Sequence, residues 1–264
     1  MAYKSKYIDS VGILRDYNGH GLKLTTLNFV KQDKFKDEPK KFTPKGEGGN
    51  ESKLENNISR TKSTIHEIAR CNDWKWFVTL TVDATKYDRN DLDKIRKDFT
   101  QMIRNYKRKT NFNIEYLLIP EHHQDGCWHL HGLINGIPKK ELHAFQENEH
   151  LPYRILNRIS KGTPVYTWKM YEKKFGYATF EEIKKPEAVC KYITKYITKD
   201  TMTTIKELNA HAFFASKGLK RSQVIKKDIL SKAVRFPDYE NEYCSIKWFK
   251  NPLDALSHFE EVHA

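Results

Sequence analysis

The run CWHLHGLI, residues 127–134, sets His129 and His131 two apart in an otherwise apolar stretch that reads as a β-strand. Strand side chains alternate between faces, so the two imidazoles share one face and Leu130 turns to the other. Two imidazoles side by side can give adjacent ligands to a divalent metal. A third ligand is then needed. Glu121 ends the preceding strand, and a short connection brings its carboxylate across the hairpin; His122, His123 and Asp125 of the same connection compete for that place. A one-residue slip in register would exchange the faces. An isolated H-x-H pair is more often a structural feature than a metal site, so its neighbours decide the reading.

YITKYITK, residues 192–199, supplies a second reactive group. Read as helix, it stacks Tyr192 and Tyr196 four apart on one face and lays Lys195 and Lys199 along a flank. A phenol is a poor nucleophile at neutral pH, but a cation beside it favours the phenolate. Attack on a phosphodiester leaves a covalent phosphotyrosine. By itself the segment also reads as an ordinary amphipathic helix with an apolar stripe through Val189, Tyr192, Ile193, Tyr196 and Ile197.

These groups need elements to hold them. WKWFVTLTV, residues 74–82, is rich in aromatic and β-branched residues and predicts a strand. Leu92, Ile95, Phe99, Ile103 and Tyr106 recur at helical spacing and predict an amphipathic helix beginning near Asp88 or Asn90. EYLLIPE and CWHLHGLI, joined by HHQDG, predict a hairpin. PKKELHAFQEN reads as a short helix, FGYATFEEI as a strand, and KKPEAVCKYITKYITKD as a helix with Pro186 in its first turn. AFFASKG is a further strand. Leu54, Ile58, Ile65 and Ile68 place a helix with a basic flank ahead of all of these. The order predicts an α+β fold with a central, mainly antiparallel five-stranded sheet and helices packed on it.

Residues 31–50 are rich in charge, Pro and Gly and read as a linker. The expected organisation is an N-terminal arm and linker over 1–50, a main domain over 51–222, and a C-terminal extension over 223–264 packing on the core. GLKLTTLNFV within the arm reads either as a docked strand or as a small hairpin.

Lys and Arg total 47 against 34 Asp and Glu, a formal charge of +13, which favours an anionic partner. The four cysteines are scattered without a C-x-x-C pair, arguing against a zinc ribbon or a disulfide framework. No stretch approaches the roughly 20 apolar residues of a membrane span. A soluble, cytoplasmic protein without a membrane role is expected. No G-x-x-x-x-G-K-[ST] run marks a P-loop motor. The candidate phosphate contacts are the arm KQDKFKDEPKKFTPK, Arg60 and Lys62, the run Lys107, Arg108 and Lys109, and the run through Lys217, Lys220 and Arg221. Trp74, Trp76 and Trp128 serve either to stack an unpaired base or, more in keeping with their size, to fill the core.

Together, in this order, FVTLT at 77–81, HLH at 129–131 and YITKYITK resemble the three motifs of the HUH endonuclease superfamily. They are most similar to rolling-circle replication initiators of single-stranded DNA phages and small plasmids, in the two-tyrosine form. FFASKGLKRS, residues 213–222, adds weaker similarity. The resemblance spans about residues 51–222 and implies a ferredoxin/RRM-like fold. It implies Mg²⁺ or Mn²⁺ held by His129, His131 and Glu121, attack by Tyr192 or Tyr196, and help from Lys195 and Lys199. YITKD from Tyr196 fits the single-tyrosine pattern slightly better, favouring Tyr196 if one tyrosine acts alone. The implied activity is nicking of origin DNA through a 5′-phosphotyrosine, in the cytoplasm of a bacterial host, with a separate helicase and a host polymerase as partners. Transposase and relaxase relatives share that chemistry. In other classes stand a non-catalytic nucleic-acid-binding module and a metal-dependent hydrolase that forms no adduct.

Overall fold

The computed structural model describes residues 3–4, 11–27, 29–30, 51–123, 126–207, 211–241 and 244–259. The basic arm at 31–45, Asp125 and the last five residues lie outside this range. The chain divides into two compact units, Asn50–Leu219 and the two chain ends, Met1–Gly49 with Lys220–Ala264.

The larger unit is built on a seven-stranded antiparallel sheet. Its elements in chain order are α1 (Glu51–Cys71), β1 (Trp76–Thr81), α2 (Leu92–Thr110), β2 (Glu115–His122), β3 (Trp128–Asn135), β4 (Leu142–Ala144), α3 (Tyr153–Ser160), β5 (Tyr166–Trp168), α4 (Lys169–Lys174), β6 (Ala178–Glu182), α5 (Pro186–Tyr192), α6 (Lys199–Glu207) and β7 (Phe214–Ala215). The strands lie in the order β7-β2-β3-β1-β6-β5-β4. The five strands read from the sequence are all present, and β4 and β5 extend the sheet beyond the expected five. PKKELHAFQEN is accordingly not a helix: a 3₁₀ turn at Lys139–Glu141 leads into β4.

Alternation along the strands sorts the core into two layers. Trp76, Val78 and Leu80 of β1 and Trp128 and Leu130 of β3 point to one side, where Leu92, Ile95, Phe99, Met102, Ile103 and Tyr106 of α2 cover them. Leu117 and Ile119 of β2 and Leu133 of β3 point to the other and meet Ile65 and Ile68 of α1, Cys190 of α5, and Ile193, Tyr196 and Ile197. The sheet is therefore sandwiched between helices, which is why both of its faces carry apolar residues. Trp76, Trp128 and Trp168 are fully buried in this core. Asp91 caps α2 by accepting from the Lys94 amide at 2.9 Å, so the helix starts just after the expected position. No described helix is long and apolar enough to cross a membrane.

The second unit corrects the reading of the chain ends as an arm and a separate extension. Val11–Asp16 and Leu22–Leu27 form a hairpin, and Gln223–Ile229, Cys244–Phe249 and Tyr239–Glu240 complete a five-stranded antiparallel sheet with it. Gln223–Ile229 pairs with the first hairpin strand and Cys244–Phe249 with the second. Leu14, Leu22, Leu24, Leu230, Ala255 and Phe259 make its core. Apolar positions alternate in both segments, but neither could bury them alone; pairing that joins sequence-distant strands is invisible to local pattern.

Candidate functional site

The site lies on the α1/α5 face of the sheet, at the end of β1, β2 and β3 that holds the H-x-H motif. In register, His129 stands opposite Glu121 on β2 and Thr81 on β1, while His131 stands opposite Ile119 and Thr79. Directly opposed residues of antiparallel strands share a face, so the two imidazoles, Glu121 and the two threonines point the same way. Gly132, next to His131, permits this tight packing: a Cβ there would lie 2.2 Å from the Leu117 carbonyl oxygen.

The polar contacts follow from the register. Glu121 Oε2 lies 2.6 Å from His131 Nε2 and 3.4 Å from His123 Nε2. On the other side, Thr79 Oγ1 is 3.1 Å from His131 Nδ1 and Thr81 Oγ1 is 3.4 Å from His129 Nδ1. The FVTLT motif thus places two hydroxyls that fix the imidazole rings. The His123 ring sits 4.1 Å from that of His129, whereas His122 turns to the opposite face and packs on Trp128 at 4.5 Å. His123 therefore joins Glu121 at the site and His122 does not. His131 is 8% exposed, and burial lowers its pKa to about 4 against the opposing pull of Glu121. Among the described residues, no three His, Cys, Asp or Glu side chains are gathered into a metal cage.

YITKYITK is not one helix. α5 ends at Tyr192, Ile193–Tyr196 form a 3₁₀ turn, Ile197 is extended, and α6 begins at Lys199. Thr198 Oγ1 accepts from the Thr201 amide at 3.1 Å, an N-cap contact that restarts the helix. The repeated β-branched Ile-Thr pairs weaken helix through this stretch. In a 3₁₀ turn residues three apart eclipse, which sets Lys195 on Tyr192. Its Nζ donates to the Tyr192 hydroxyl and stands 3.8 Å from that ring's centre and 4.8 Å from the centre of Tyr196. Lys199, expected on the same flank, instead lies 3.9 Å from Glu55 of α1.

The break divides the tyrosines. Tyr196 is 6% exposed and stacks flat on His131, ring centres 3.9 Å apart and planes within 4°. Tyr192 is 41% exposed, edge-on to Tyr196 at 6.0 Å and to Phe77 at 5.6 Å. Burial raises the Tyr196 phenol well above its ordinary range, and the hydrogen-bonded Tyr192 adds to the rise. Burial acts the same way on Tyr192, but the Lys195 ammonium and the Tyr196 hydroxyl outweigh it and the net shift is downward. Arg154 of α3 favours the ionised form of both phenols. Sequence reasoning missed Arg154, because no periodicity marked the span that contains it.

The predicted phosphate contacts do not form one patch. Arg60 is exposed and Lys62 half-buried on α1, and Arg108 is exposed near the end of α2. Lys107 and Lys217 line one groove between α2 and β7. Lys220 and Arg221 belong to the other unit.

An antiparallel sheet presenting paired histidines and a carboxylate beneath two tyrosines is a site suited to phosphoryl transfer. Residues 75–201 match the model of a family described as replication-associated protein, of the ORF2 type. The matched span contains Glu121, both histidines, Lys195 and both tyrosines, and the similarity points to a DNA-binding initiator of rolling-circle replication. No curated protein and no solved structure matches the chain.

Proposed function

We propose that this protein is a metal-dependent, HUH-type endonuclease and strand transferase that nicks single-stranded origin DNA and starts rolling-circle replication. The observation that carries the reading is the stack of Tyr196 on His131, with Tyr192 and Lys195 beside it, which unites two motifs 65 residues apart. The same chemistry serves transposases and relaxases; similarity to a replication-associated family favours initiation.

His129, His131 and Glu121 are the ligands proposed for Mg²⁺ or Mn²⁺. Their donor types suit such a cation. Adjacent ligands at about 2.1 Å from a six-coordinate ion stand about 3 Å apart, close to the 2.6 and 3.4 Å between Glu121 and the imidazoles of His131 and His123. When bound, the cation polarises the scissile phosphate and offsets charge on its oxygens. Thr79 and Thr81 hold the imidazoles in orientation, and buried His131 stays neutral, the form a ligand requires.

Exposure assigns the order of the tyrosines. Tyr192 reaches solvent and is held by Lys195, so it makes the first attack; Tyr196 acts second, after leaving its stack. This reverses the preference that the YITKD pattern alone suggests. In the first step the Tyr192 phenol loses its proton and its oxygen bonds to phosphorus. The P–O3′ bond breaks, and the departing oxygen takes up a proton to become the 3′-hydroxyl that a polymerase extends. Lys195 stabilises the phenolate, and Arg154 offers a further positive charge to the phosphate. A host polymerase and a separate helicase are the partners this reading calls for.

The test is covalent adduct formation on an origin oligonucleotide with Mg²⁺ or Mn²⁺. The Tyr192→Phe/Tyr196→Phe double variant is expected to give no adduct. Undiminished adduct in the double variant ends the tyrosine assignment, and metal-dependent cleavage without adduct identifies a hydrolase.

A further inference from the structure

A groove of about 440 Å³ runs between α2 and the edge strand β7, lined by residues from the helix, from the turn at 113–116 and from the segment 211–217. Arg96, Arg104, Lys107, Lys217 and His211 supply its polar wall and Phe213 contributes an aromatic surface. Among the described residues no Asp or Glu lines it. Arg96 is tied to Asp93 at 2.7 Å, but Arg104, Lys107 and Lys217 have no carboxylate partner among the described residues. These last three are exposed.

Like charges gathered without counter-charges repel one another, and a polyanion relieves that repulsion. The groove does not belong to the tyrosine site. α2 covers the sheet face opposite the histidines. Along β2, Tyr116 at the groove and Glu121 at the site are five residues apart, about 17 Å of extended strand.

We infer that this groove binds single-stranded nucleic acid through its phosphates, as a second anchoring site away from the position of cleavage. The inference rests on the functional reading above only in taking nucleic acid as the ligand. The groove's volume is that of a small-ligand site, which admits one strand and not a duplex. Three lysine or arginine contacts place the strand without reading its sequence, while Phe213 offers a surface on which a base can stack. The strand would thus be held at two points, fixing its path over the sheet edge.

The test measures binding of the Tyr192→Phe/Tyr196→Phe protein, in chelator, to a short oligonucleotide spanning only the cleavage position and to one extended in both directions. Each single-strand phosphate contact contributes about 0.7 to the slope of log affinity against log salt. For the extended oligonucleotide, Arg104→Gln/Lys107→Gln is expected to lower the slope by about 1.4, and Lys217→Gln by about 0.7. The short oligonucleotide should bind as before. Lys94→Gln/Lys97→Gln removes the same charge from α2 outside the groove and should leave the slope unchanged. Equal losses in this control, no loss in the groove variants, or tighter groove-dependent binding of duplex than of single strand would each overturn the inference. Adduct formation on the short oligonucleotide should persist in the groove variants that retain both tyrosines. If the wild-type protein forms no adduct, the catalytic reading fails while the slope still decides the groove.

Discussion

The Tyr196 phenol lies flat on the His131 imidazole, ring centres 3.9 Å apart. The contact joins the sheet to the turn after α5 and makes the two tyrosines unequal, one shut against the sheet and one open to solvent. Tyr192→Phe is therefore expected to slow first-adduct formation by roughly 10³-fold or more. Tyr196→Phe preserves the stacked ring and should leave the first adduct while abolishing transfer to a second strand. Gel analysis of adducts with a labelled oligonucleotide and a labelled acceptor separates the steps; equal loss of first adduct in both single variants would contradict the order.

Lys195 favours the Tyr192 phenolate, so the rate of adduct formation should rise with pH as the phenol ionises and level off earlier than for an unassisted tyrosine. Lys195→Gln removes the cation and raises the phenol pKa. The rise then moves to higher pH, and each unit of movement lowers the rate near neutral pH about tenfold. A pH–rate profile of the variant that is merely scaled down, without displacement, would assign Lys195 to phosphate contact alone.

Thr79 holds His131 through Nδ1 at 3.1 Å. Thr79→Val keeps the shape and removes the hydroxyl, and loss of such an orienting partner costs about 10- to 100-fold in metal affinity. Calorimetric titration with Mn²⁺ reads the effect directly. Glu121→Gln should weaken binding as well, since it removes the proposed anionic ligand. Unchanged Mn²⁺ affinity in both variants would place the cation elsewhere.

Gly132 pairs with Val78 and Leu118, and a Cβ there would meet the Leu117 carbonyl oxygen at 2.2 Å and Leu118 Cα at 2.9 Å. Backbone atoms cannot rotate away, so Gly132→Ala forces the strands apart. The expected loss is about 1–3 kcal/mol in denaturant unfolding. A loss near zero would mean that the β2–β3 pairing relaxes readily.

Much of the main unit is legible locally because period and composition report which way a side chain faces. The α2 stripe from Leu92 to Tyr106 and the alternation in Trp76–Thr81 each have one core face, and both elements form as read. Short elements carry less signal. β4 and β5 have three residues apiece, too few for a period, and gain their strand geometry from the neighbour they pair with. YITKYITK misleads for a related reason: its apolar residues fall at helical spacing, but Thr198 caps a new helix and the β-branched residues favour a break.

Residue types and spacing alone determined that His129 and His131 share a face, that Glu121 stands across the hairpin, and that two phenols and a lysine travel together in the chain. Only the tertiary structure decided which of these meet: His123 turning to Glu121 while His122 turns away, Tyr196 on His131 with Tyr192 outside, Lys199 drawn to Glu55, and the two chain ends woven into one sheet. The division has a physical cause. Alternation and helical period act over a few residues and are written in the sequence, whereas burial and ring contact depend on surfaces that come together only when distant segments compete for the same core.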